Sequence, residues 1–147
     1  MLIHLNVLGI LNKRIIFLCT GNSCRSQIAE GLAKKYMRTH TIKSAGTRPE
    51  PINPLAIEIM NEINIDISNY KSKSFTDRDL EGYDLIITLC GDAKDKCPII
   101  SKAEHIHWNI PDPAKCKGSQ NKIELTFSKV RDMIYNHIVL LEKIDKD

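Results

Sequence analysis

The 147-residue sequence predicts an α/β fold, a four-stranded parallel sheet wrapped by helices. Two observations carry that expectation. Short apolar runs rich in β-branched residues alternate with segments whose apolar residues recur at helical spacing. Two cysteines, Cys19 and Cys90, each fall just beyond a predicted strand, on the carboxyl rim where ligands bind in sheets of this kind.

The elements follow in order. Lys13 to Leu18 is a short apolar run that reads as a fully buried strand. Ile28, Ala29, Leu32, Ala33 and Tyr36 then recur with helical period. Thr41 to Ala45 is a second short strand, closed by Gly46. Asn53 and Pro54 open a helix as cap and first residue, and Ala56, Ile59, Met60 and Ile63 form its stripe. Asp84 to Leu89 is the clearest strand, and Glu104 to Trp108 makes a fourth. Ile123, Phe127, Val130, Ile134, Ile138 and Leu141 form one continuous stripe, predicting a long terminal helix packed on the sheet.

Length and composition set bounds on function. Residues 13 to 147 are expected to form a single catalytic domain that buries about 70% of its unfolded surface. A net charge of +3 from dispersed basic residues gives no nucleic-acid footprint. Five cysteines, an odd number, do not make a secreted disulfide framework, so a reducing cytoplasm is expected. Residues 1 to 12 read as an N-terminal extension of unknown role. Their apolar stretch contains Asn6, follows no basic segment, and is far too short to span a bilayer. Neither GxGxxG nor GxxxxGK occurs, so no nucleotide cofactor is expected.

The chemistry concentrates in "CTGNSCRS", residues 19 to 26. A loop running from a strand into a helix N-terminus aims several N–H donors at one point and adds the positive end of the helix dipole. Cys19 and Arg25 stand in the pattern Cys-x5-Arg, with Thr20, Gly21, Asn22, Ser23 and Cys24 between them and Ser26 next. Arg25 suits two-pronged contact with a tetrahedral oxyanion. Gly21 and Asn22 tolerate unusual backbone angles. Cys19 lies in the same positive field, which is expected to lower its pKa below that of an ordinary cysteine. Ser26, and also Thr20 next to Cys19, are candidate donors to the thiolate. The plainer alternative makes Cys19 a small buried hydrophobe and Arg25 a surface charge.

Cys90 and Cys97 lie in "TLCGDAKDKCPII" with spacing Cys-x6-Cys, which matches no common zinc pattern, and no metal is expected. If residues 90 to 97 were helical, seven steps would separate the Cα atoms by roughly 10 Å. A disulfide needs them within about 7 Å. The pair is therefore helical or bonded, not both, and the segment is expected to act as a redox switch. Asp112, before Pro113, has two open readings: a general acid reaching the anion loop, or a turn opener. Cys116 has no partner by spacing.

Together, "FLCTGNSCRSQIAEG", "SAGT", "NPLAIEIM", "DISNY", "DLIITLCGDAKDKCP" and "HWNIPDP" resemble the thioredoxin-coupled arsenate reductases, over roughly residues 14 to 143. The resemblance implies the three-layer α/β sandwich of the low-molecular-weight tyrosine phosphatases. It further implies that Cys19 attacks arsenate oriented by Arg25, with Asp112 protonating the leaving oxygen. Cys90 then attacks Cys19, Cys97 attacks Cys90, and thioredoxin reduces the resulting disulfide. A monomer is expected, with no membrane partner and a structural role for Cys24. Cys19 and Arg25 alone would also fit the alternative, a low-molecular-weight tyrosine phosphatase; Cys90 with Cys97 selects the reductase. Some family members hold potassium at positions that fall here on Asn22, Glu30, Ser44 and Lys73. Lysine there repels a cation, so no potassium activation is expected.

Overall fold

The computed structural model describes residues 13–146; the extension expected at 1–12 lies outside them. Strand β1 (Arg14–Cys19) is buried from Ile15 onward, so both of its faces are covered. It is followed by helix α1 (Arg25–Tyr36), β2 (Thr41–Gly46) and α2 (Pro54–Asn61). A one-turn helix α3 (Asp77–Leu80) precedes β3 (Leu85–Thr88), α4 (Gly91–Lys96) and β4 (Glu104–His107). A 3-10 turn (Pro113–Lys115) then leads into the long helix α5 (Gln120–Lys146). All four expected strands are present, with ends shifted by about one residue, as hydrogen-bond boundaries commonly are. The sequence reading missed α3. Its signal is local: Thr76 and Asp79 form a capping box, the hydroxyl accepting from one backbone N–H and the carboxylate from the other.

The sheet is parallel throughout, in the order β2-β1-β3-β4. The chain leaves β1 for one neighbour and later returns to its other side. The loops after β1 and β3 therefore diverge at the switch point, where a crevice opens beyond the strand ends. This topology brings Cys19 and Cys90 to one rim although 71 positions separate them.

Packing follows the apolar pattern. Phe127, Val130, Ile134, Ile138 and Leu141 of α5 are buried, as are Ile28, Ala29, Leu32 and Ala33 of α1. Asn53 caps α2 by accepting from the Leu55 N–H at 2.9 Å. Edge strand β4 is largely exposed, and its histidines serve hydrogen bonding: His107 Nδ1 lies 2.8 Å from Thr88 Oγ1.

Gly46 closes β2 against the anion loop. A Cβ there would stand 2.5 Å from the Thr20 carbonyl oxygen and 2.8 Å from the Asn22 nitrogen, both backbone atoms that cannot swing aside. Gly46→Ala is expected to lower unfolding free energy by about 1–3 kcal/mol through overpacking. Urea denaturation of the two proteins checks this.

Candidate active site

The anion loop begins at the last residue of β1 and ends in the first turn of α1. Its backbone bends sharply at Asn22, whose φ of 49° is left-handed, a conformation asparagine tolerates. Gly21 does not share that geometry; its Cβ position would meet Ser23 Oγ at 3.1 Å, so close approach explains the glycine instead. The bend is held from outside. Glu50 N–H donates to the Gly21 carbonyl and Asn53 N–H to the Ser23 carbonyl, each at 2.8 Å. Gln27 Nε2 donates to the Asn22 carbonyl at 2.9 Å.

A cavity of about 570 Å³ opens above the loop, lined among others by Cys19, Arg25, Cys90, Asp92 and Asp112. Arg25 Nη1 donates to the Ile110 carbonyl at 3.0 Å, and Nη2 lies 3.8 Å from Asp112 Oδ2. Asp112 opens the 3-10 turn and also lies beside the anion loop. Its Oδ1 accepts from Ala114 N–H at 3.0 Å, capping the 3-10 turn, while Oδ2 faces the guanidinium. Cys90 is buried and caps α4, its sulfur accepting from Ala93 N–H at 3.3 Å. Cys97 ends the same helix and is not among the residues lining the cavity; burial pushes its thiol up, assisted by the charge of Asp77. Cys90 and Cys97 thus take the helical alternative.

Thr20 links the loop to the Cys90 segment, its Oγ1 lying 3.2 Å from Cys90 Sγ. Thr47, Arg48, Asp92, Asn109 and Lys115 were not singled out by sequence reasoning. Arg48, Asp92, Asn109 and Lys115 line the cavity, and Thr47 Oγ1 donates to Asp92 at 2.7 Å. The motif "SAGT" contained Thr47, but no spacing rule connects it to Asp92. Cys116 lies apart, 3.3 Å from Thr126 Oγ1.

The expected lowering of the Cys19 pKa is corrected by the geometry. Cys19 is 2% exposed, and burial pushes its thiol up. The Ser26 hydroxyl, the N–H groups of Ser26 and Asn22, and the Arg25 charge all pull down, by less. The sequence reading counted the loop's dipoles but not the hydration lost by a sulfur at the base of the crevice. Cys24 is also buried, its thiol pushed up to about 12 by burial and by the nearby Cys19 and Asp112, so it remains protonated at neutral pH.

Ser26 Oγ stands 2.8 Å from Cys19 Sγ and accepts from Asn22 Nδ2 at 2.7 Å. Asn22 Nδ2 also donates to Ser44 Oγ at 2.9 Å, and Ser44 donates to Glu30 at 2.6 Å. Lys73 N–H donates to Asn22 Oδ1 at 2.9 Å, and its ammonium lies 4.0 Å from Glu30. The four positions considered for potassium are thus one network with a lysine in it. A hydrogen bond to a charged group contributes about 1.5–3 kcal/mol. Ser26→Ala is therefore expected to raise the Cys19 pKa further and slow its alkylation at pH 7 by roughly tenfold or more. The rise of rate with pH moves to higher pH, which iodoacetamide kinetics on Cys19 measure.

Comparison with known proteins agrees with this architecture. The sequence profile described as "Low molecular weight phosphotyrosine protein phosphatase" matches residues 14–147. A Bacillus subtilis (strain 168) protein named arsenate reductase is 46% identical over 129 residues, covering 86% of this chain and 93% of its own. Vibrio vulnificus Wzb, solved with benzylphosphonate, superposes with a TM-score of 0.77 at 22% identity, covering 89% of this chain and 97% of its own, a likeness of fold alone. The Corynebacterium glutamicum thioredoxin-dependent arsenate reductase superposes with a TM-score of 0.64 at 26% identity, covering 92% of this chain and 71% of its own. From the profile match over nearly the whole chain, the protein belongs to the low molecular weight phosphotyrosine protein phosphatase family.

Proposed function

We propose that this protein reduces arsenate to arsenite with Cys19, Cys90 and Cys97 as a thiol relay, regenerated by thioredoxin. One observation carries the proposal: Cys19 and Cys90 line the same cavity, and Cys97 stands one short helix further out. The names of the Bacillus and Corynebacterium relatives support the substrate and the reductant.

Arsenate enters the loop as a tetrahedral oxyanion, met by the loop N–H groups and by Arg25. Cys19 is buried and resists ionisation, so its proton passes to an oxygen of the incoming dianion while Ser26 steadies the thiolate. The sulfur bonds to arsenic, and water leaves after protonation by Asp112, which lies beside Arg25. Cys90 then attacks the sulfur of Cys19. The sulfur–arsenic bond breaks, its electron pair stays on arsenic, and arsenite is released. Cys97 attacks Cys90, returning Cys19 as a thiol and leaving the oxidation as a Cys90–Cys97 disulfide. A thioredoxin dithiol reduces that bond. Cys24 packs the loop, Lys73 takes the place of a potassium ion, and the reducing cytoplasm suits this thiol chemistry.

The cavity lining also favours a small oxyanion over phosphotyrosine. Among the described residues no aromatic side chain lines it, and Ile110 and Ala114 are its main aliphatic contacts, which is little to hold a phenyl ring. The loop itself takes tetrahedral oxyanions generally, so weak phosphate-ester hydrolysis is expected as a side activity.

Steady-state assay with arsenate, thioredoxin, thioredoxin reductase and NADPH tests the reading. Wild type should turn over; Cys90→Ser should lose arsenate reduction to background yet keep the ester hydrolysis. Arsenate turnover that survives Cys90→Ser contradicts the relay.

A further inference from the structure

We propose that Asp92 is the clasp that fastens helix α4 to the anion loop in the dithiol state, and that its release accompanies formation of the Cys90–Cys97 disulfide. The inference rests on the relay reading above. Asp92 is the second residue of α4 and joins three neighbours. Its Oδ2 accepts from Thr47 Oγ1 at 2.7 Å and from Thr20 Oγ1 at 3.4 Å, and its Oδ1 pairs with Lys96 Nζ at 3.2 Å. Both threonines belong to the loop scaffold. Thr20 follows Cys19 and touches Cys90 Sγ, while Thr47 N–H donates to the Cys19 carbonyl at 3.1 Å. One carboxylate therefore ties the helix to two threonines next to the Cys19 carbonyl.

Little else holds α4. It has six residues, of which only Ala93 is buried, and space is open around Gly91. A helix this short does not persist on propensity alone. The Thr47 hydroxyl keeps the Asp92 carboxyl below its ordinary value, so it remains an acceptor at neutral pH.

The redox consequence has a definite sign. Cys90 and Cys97 cap the two ends of α4, a separation of roughly 10 Å along seven helical steps, and a disulfide needs about 7 Å or less. Oxidation removes two electrons and two protons from the thiols as the S–S bond forms, and it must unwind the helix. Contacts present only in the helix stabilise the dithiol. Breaking the clasp therefore favours the disulfide and makes the couple more reducing.

The full chain is equilibrated in buffers of reduced and oxidised dithiothreitol, which takes up or supplies the two electrons. The Cys90–Cys97 bond is then quantified by mass spectrometry after alkylation. Asp92→Ala should shift the equilibrium three- to tenfold toward disulfide, about 15–30 mV for a two-electron couple. Thr47→Val should shift it in the same direction, and the double variant should add little, because both changes remove one contact. If wild type forms the disulfide and neither variant moves its potential, or the two shifts simply add, the clasp is refuted. If wild type forms no Cys90–Cys97 bond at any buffer ratio, the relay reading falls, and the clasp with it.

Discussion

The single hydroxyl hydrogen of Ser26 decides how the buried sulfur of Cys19 can behave. Lys73 N–H fixes the Asn22 amide by donating to its oxygen, which turns the amide nitrogen toward Ser26 and Ser44. Ser26 accepts there, which leaves its hydrogen available to a sulfur 2.8 Å away once that sulfur is a thiolate. The left-handed bend at Asn22 places that amide among these partners. With it, a strained residue, a buried serine and a nucleophile act as one unit, and Glu30 with Lys34 and Lys73 neutralises the far end of the chain.

The same site contains a tension between burial and reactivity. Burial shelters the sulfur and strengthens each hydrogen bond made to it, yet the same burial raises its pKa. In the mechanism we propose, charge arriving with the substrate resolves the tension, since the dianion takes the proton that the loop alone does not remove. Selectivity for oxyanions and activation of the thiol then come from the same event. Cys24, also buried, is raised by burial and by the nearby Cys19 and Asp112, and it has no such serine contact.

Much of this was legible in the sequence because it is local. The strand-loop-helix order, the Cys-x5-Arg spacing and the alternative between helix and disulfide at Cys90 and Cys97 depend on short-range geometry. So does the turn that Asp112 opens, although its approach to Arg25 comes from the fold. What escaped was long-range or energetic. The Asp92–Thr47 contact joins positions 45 residues apart and leaves no trace in periodicity. The direction of the Cys19 shift needed a burial figure that no motif supplies. Even α3, a purely local element, was overlooked because its capping box spans too few residues to build a hydrophobic stripe.

The proposed relay requires the sulfur at 90 to travel to the sulfur at 19 when arsenic is bound there. Cys97→Ser removes the final acceptor and should arrest the relay one step early. After a single equivalent of arsenate, mass spectrometry of the non-reduced peptides should find a Cys19–Cys90 disulfide in amounts matching the arsenite released. Arsenite released without that link, or no arsenite at all from a folded Cys97→Ser protein, would contradict it.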